Sequence, residues 1–220
     1  MSDDSINTPT GHSDGPLAWH AAAWLRLSEA WRRGQLSHAV LIAGPSGIGK
    51  AELGRALLNL CVCERPEWEP IPAPCGTCQS CRTFVAGGHT GAFELTPSEK
   101  SPTIGIDLVR ETMHLVGLTT RIGPAKAVLL VPAEAMTLPA ANALLKTLEE
   151  PPGATYFVLV SDDPSLLPVT IRSRCVQILL TAPPAPVGRA WLKSNAPDAQ
   201  ALLDDADNAP LRALAMSEQG

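Results

Sequence analysis

The stretch HAVLIAGPSGIGKAELGRALLNLCVC, His38–Cys63, decides how the rest of the chain is read. Its first seven residues form a short apolar run closed by Gly44, the mark of a buried strand. Gly44-x4-Gly49-Lys50 then has the spacing of a phosphate-binding loop, with Gly47 between the two outer glycines. Backbone N–H groups in such a loop cradle phosphates. The helix that follows points the positive end of its dipole at them, and the lysine reaches the β- and γ-phosphates. From Lys50 the pattern is helical. A strand, a glycine-rich turn and a helix are the context this motif requires. The residue after Lys50 is Ala51, however, where a loop that grips Mg²⁺ carries the hydroxyl of Ser or Thr.

The second Mg²⁺ group of a phosphate-loop enzyme is an acid at the tip of a later apolar strand. The matching stretch is KAVLLVPAEAM, and its strand Ala127–Val131 ends in Val131-Pro132 with no acid at the tip. Glu134 follows two residues later and reads as a solvated loop or helix-start carboxylate. With Ala51 and Val131 in the two metal positions, phosphoryl transfer loses its main electrostatic support. ATP or ADP is expected to bind weakly and hydrolysis to be negligible.

Outward from the loop, strands alternate with helices. Leu17, Trp24, Leu27 and Trp31 space a helix that ends near Gly34, and Ile106, Val109, Met113 and Val116 space another. KAVLLV and TYFVLVS read as buried strands, LPAANALLKTLEEPPG as a helix stopped by Pro151-Pro152, and LLPVTIRSRCVQILL as a helical turn and a last strand. The class is α/β with a parallel sheet. From Pro183 the periodicity is helical only, which places a module over 17–182 and a small helical domain, expected to be incomplete, over 183–220. Residues 1–16 are acidic and polar and read as a disordered leader. The 220 residues carry a net charge of −5 and a pI near 5.5, so a strongly basic nucleic-acid footprint is absent and only a local basic patch stays open. Neither an 18-residue apolar run nor a secretion signal is present, and the expected location is the cytoplasm.

Five of the six cysteines fall between Cys61 and Cys81, in a proline-rich segment that reads as a loop-like insertion over about 61–90. Cys63-x11-Cys75-x2-Cys78-x2-Cys81 offers four thiolates at the spacing of a closed, structural Zn²⁺ site. An iron–sulfur cluster and free thiols are the rivals. Cys61, at the end of an apolar helix, reads as a core residue and is the reserve fourth ligand.

TIRSRC places Arg172 and Arg174 at the entrance to the last strand. On spacing alone this is either a basic surface turn or an arginine offered to phosphate across a subunit boundary. NALLKTLEEPP (Asn142–Pro152) followed by LLPVTIRSRC (Leu166–Cys175) resembles the clamp-loader branch of AAA+ proteins. The cysteine knuckle after the phosphate-loop helix looks like the bacterial members of that branch, and within them the tip VPAEAMTLPAANALLKTLEEPP resembles the delta′ family. The resemblance covers about residues 17–216. It implies an AAA+ module with a zinc-knuckle insertion, a helical lid and a C-terminal collar, the last absent from this chain. It also implies a stator without useful ATPase activity, part of a DNA polymerase holoenzyme. Its partners would be the loader's ATPase subunits and delta (wrench) subunit and, through the assembly, the sliding clamp and primed DNA, with no membrane. Arg174 would act in trans on a neighbour's ATP, and Arg212 falls where the family carries a lid-borne sensor arginine. Two other readings remain: an ATPase-active subunit of the same loader, and a free-standing zinc-ribbon nucleic-acid module.

Overall fold

The computed structural model describes residues 15–98, 101–118 and 122–218. The expected leader lies almost wholly outside them. Among the described residues, five parallel strands form one sheet, β1 Ala39–Ala43, β2 Ala92–Leu95, β3 Lys126–Leu130, β4 Thr155–Ser161 and β5 Val176–Leu179, in the order β2-β3-β4-β1-β5. Helices α1 Ala21–Arg32, α2 Lys50–Val62, α3 Gln79–Val85, α4 Ile106–Gly117, α5 Leu138–Glu149, α6 Val169–Arg172, α7 Ala185–Asn195 and α8 Pro210–Glu218 complete the chain.

The central strands are mostly apolar because both faces of the sheet are covered. On one face Val40, Ile42, Val158, Val160 and Leu129 pack against Trp24 and Leu27 of α1 and Leu53 and Leu57 of α2. On the other, Leu41, Phe157, Leu159, Val128 and Leu130 meet Val109 of α4 and Leu144 of α5. The two-residue alternation of a strand splits one continuous apolar run between two cores. A third, smaller core of Leu192, Ala199, Leu203, Ala206 and Ala213 joins the C-terminal helices.

The cysteine segment is more ordered than a loop. The last cysteine, Cys81, lies inside α3, and the edge strand β2 follows, pairing with β3 from Ala92↔Ala127 to Leu95↔Leu130. The sequence hides β2 because Glu94 interrupts its four apolar-type positions. That carboxylate is buried, and Arg55 of α2 grips it with two hydrogen bonds, Nη2 to Oε1 at 2.5 Å and Nε to Oε2 at 3.0 Å. No helix among the described residues is long and apolar enough to cross a membrane.

Candidate functional site

The C-terminal ends of parallel strands are where such sheets hold ligands. Here the loop Gly44–Gly49 leaves β1 and turns into α2. Gly44 donates its N–H to Ser161 O, the last residue of the adjoining β4, at 3.3 Å. Gly47 and Gly49 have φ of +74° and +86°, in the region that disfavours a Cβ, and each is also closely approached. A Cβ on Gly47 would lie 2.4 Å from Arg212 Cβ, and one on Gly49 would lie 2.2 Å from Leu17 Cδ1. The loop is therefore packed from both sides.

On one side the N-terminal segment turns its polar groups onto the loop. Trp19 Nε1 donates to Ile48 O at 2.8 Å, and His20 Nε2 meets the same carbonyl at 2.7 Å. Burial pushes the His20 pKa below its ordinary 6.5, against the raising effect of the Ile48 carbonyl and Glu52. On the other side Leu211 N–H donates to Gly47 O at 2.9 Å. Arg212 follows at the start of α8, its backbone against the loop and its Nη1 on Asp207 Oδ2 at 3.0 Å. Trp19 and Trp191 of α7 meet edge to face at 5.7 Å, joining the two flanks.

Lys50 is nearly inaccessible. Its Nζ lies 2.6 Å from Asp162 Oδ1 and 2.5 Å from Pro45 O of its own loop, with the side chain only 3% exposed. Ala51 follows it in α2, and Val131 packs partly buried at the end of β3. Glu134 stands at a helix start, one of the two settings the sequence suggests, but it is half-buried and not solvated. It sits in a short 3-10 turn, Ala133–Ala135, and its Oε1 accepts the N–H of Asp162 at 2.8 Å and of Asp163 at 3.4 Å, while Oε2 is enclosed without a partner. Glu134 thus ties the β3 tip to the loop that carries Lys50's counter-ion. Sequence spacing showed neither Asp162 nor Glu134 in these roles, because each reaches its partner across the sheet.

Cys63, Cys75, Cys78 and Cys81 come together, with all four sulfurs within 4.8 Å of one another. Cys63 follows α2 directly, and Cys78 caps α3. Backbone N–H groups are aimed at three of the sulfurs, Cys75 N at Cys63, Cys78 N at Cys75 and Cys81 N at Cys78, each at 3.3 Å. N–H donors on sulfur stabilise thiolate, the form that binds metal. A hydrogen bond shared with Cys81 lowers the Cys63 pKa and raises that of Cys81. An all-sulfur set of four fits one tetrahedral ion, whose Zn–S bonds of about 2.3 Å would draw the sulfurs slightly closer. Cys61 lies apart in the main core, and burial pushes its thiol well up.

Arg174 stands at the entrance to β5. Its Nη1 donates to Thr170 O at 2.9 Å, and its Nη2 pairs with Glu149 Oε1. Arg172 lies two residues earlier, at the end of α6, half-buried.

A family model described as DNA polymerase III, delta subunit, matches residues 19–184. The DNA polymerase III subunit delta′ of Pseudomonas aeruginosa is 41% identical over 207 residues, covering 92% of this chain and 61% of that protein. The chain belongs to the DNA polymerase III delta′ family. It spans less than two thirds of that relative's length. The tau subunit of Salmonella typhimurium is 33% identical over 71% of this chain and 23% of that protein, so the likeness extends to other subunits of the same polymerase. In three dimensions a DNA polymerase III gamma subunit-related protein of Thermotoga maritima has the same fold, with a TM-score of 0.54 at 21% identity over 88% of this chain and 58% of that one. The four cysteines of this delta′-family chain lie between the start of the sheet module and its strand β2, from the end of α2 into α3, and are not a free-standing ribbon.

Proposed function

We propose that the protein is the stator of a clamp loader. It helps load the sliding clamp onto primed DNA in the cytoplasm, hydrolyses little ATP by itself, and offers Arg174 to the ATP of a neighbouring ATPase subunit. The ATPase subunits and the delta (wrench) subunit are its direct partners. The observation that carries this reading is the state of the phosphate loop. Ala51 and Val131 fill the positions of the two Mg²⁺-side groups, and Lys50 is neutralised inside its own chain by Asp162. A nucleotide would have to displace that pair and gain no metal bridge in return. ATP or ADP therefore binds weakly, and without help from Mg²⁺. Arg212 lies over the same loop as the lid's candidate sensor.

Zn²⁺ is the ion proposed for Cys63, Cys75, Cys78 and Cys81. It would supply a closed structural crosslink and no catalysis. The module over 17–182 would carry the loop and the finger, with 183–220 as the lid.

The test is kinetic. The purified chain should hydrolyse ATP no faster than its Lys50→Ala variant. In a loader reconstituted with its ATPase subunits, Arg174→Ala should leave assembly intact. An arginine finger contributes about 10³–10⁵ in rate at the one site it serves. Bulk hydrolysis would therefore fall in part, and clamp loading, which needs every site, would fall further. Arg172→Ala should do less. Wild-type loading by Arg174→Ala would refute the finger, and Lys50-dependent turnover by the isolated chain would restore the ATPase reading.

A further inference from the structure

Glu149 stands where helix physics disfavours it. It is the last residue of α5, Glu150 caps the same end, and two carboxylates meet the negative end of the helix dipole. Its side chain meets Arg174, 25 residues on, whose Nη2 donates to Oε1. The second anchor on the same guanidinium is Thr170 O, at 2.9 Å from Nη1. The two acceptors belong to different elements, the end of α5 and the turn α6.

We infer that Glu149 is a positioning residue for Arg174, holding the guanidinium in the orientation that phosphate will meet. This rests on the reading of Arg174 as a finger in trans. A planar guanidinium held at two nitrogens cannot turn in its own plane. It has five N–H groups, so three remain free for an incoming anion. Arg174 remains 35% exposed and Glu149 51%, which leaves the pair open to a neighbouring subunit. A long, flexible side chain otherwise has to give up rotamer freedom when phosphate arrives. Here that ordering is done before the encounter, and a preorganised donor is worth more in the transition state than a mobile one.

A different role would follow if Glu149 held the arginine back. Its negative charge lies beside the group meant for phosphate, and its removal would then speed the reaction. The geometry favours positioning, because Glu149 occupies one N–H of Nη2 and Thr170 O one of Nη1, and the other three stay uncovered.

The experiment uses the loader reconstituted from this protein and its ATPase partners. Glu149→Ala should slow clamp loading about two- to fivefold, the scale of one exposed ion pair, through kcat with the KM for ATP unchanged. Glu149→Gln keeps an acceptor oxygen and should retain most of the rate. On an Arg174→Ala background, Glu149→Ala should add nothing. If Arg174→Ala itself loads normally, the finger reading fails and this inference falls with it. If Arg174→Ala is impaired while Glu149→Ala is unchanged or faster, the positioning role alone is refuted. A further loss by Glu149→Ala on the Arg174→Ala background would also refute it, by showing that the carboxylate acts on structure and not through the arginine.

Discussion

Lys50 shows how a phosphate-loop lysine behaves when its charge is answered from within the chain. Its side chain is 3% exposed, while that of its partner Asp162 is 47% exposed. The two ends of the pair therefore respond differently to removal. Asp162→Ala leaves an ammonium buried against a single carbonyl, at a cost of about 1–3 kcal/mol. Lys50→Met removes the buried charge and leaves Asp162 in water, at a cost within about 1 kcal/mol. Urea unfolding of the two variants should show that order, and equal losses would mean that Lys50 reaches water. His20, on the same loop, makes a pH signal. Its folded pKa lies below the unfolded 6.5, chiefly from burial. Lys50 lowers it too, while Glu52 and the backbone groups of Ile48 and Gly49 raise it. The unfolded chain thus takes up the proton first. The stability His20 contributes is full above pH 6.5 and is lost as pH falls through the folded value. Unfolding free energy measured from pH 7.5 down to 5 should fall less steeply in His20→Gln, which keeps a donor for Ile48 O. A variant with the same slope as wild type would place this charge uptake elsewhere.

At the scale of elements, the cysteine segment is tied to the rest of the fold at points outside its own sulfur cluster. Trp24 Nε1 of α1 donates to Pro72 O at 2.7 Å, and Ser80 Oγ donates to Val62 O at the end of α2 at 2.6 Å. The ring of His89, its Nδ1 accepting from Gly91 N at 3.0 Å, meets the same Ser80 hydroxyl at 2.6 Å. Elemental analysis should find about one zinc per chain. Cys78→Ser should lose it and Cys61→Ser keep it, since Cys61 belongs to the main core. Chelation should raise hydrogen exchange in α3 and leave β1 and β4 protected. Iron in place of zinc, or metal retained in Cys78→Ser, would overturn the assignment. Much of this level was legible in the sequence. Cysteine spacing and loop glycines are short-range patterns, and β1, β3 and β4 are apolar runs with clear ends. What stayed hidden depends on partners far along the chain. β2 needs Arg55, 39 residues before Glu94, and Glu134 finds its donors 28 and 29 residues on. No local periodicity carries such pairings.

Over the whole molecule, the C-terminal helices are held against the phosphate loop by the chain itself. Leu211 N–H on Gly47 O, Arg212 against Gly47, and the Trp19–Trp191 pair form a joint made of protein groups. The proposed stator role calls for C-terminal helices whose position does not depend on ligand. Gly47 is the point at which this can be tested. Its φ of +74° disfavours any side chain, and a Cβ there would lie 2.6 Å from Arg212 N. Gly47→Ala should therefore cost about 1–3 kcal/mol, and the strain is relieved most easily by lifting α8, which packs on the small third core and not on the sheet. Hydrogen exchange should rise over residues 210–218 while β1, β3 and β4 keep their protection. In the unaltered protein, ATP with Mg²⁺ should leave exchange in α8 unchanged. Protection of α8 by nucleotide would show that the C-terminal helices answer to a ligand, and the account of a fixed joint would fall.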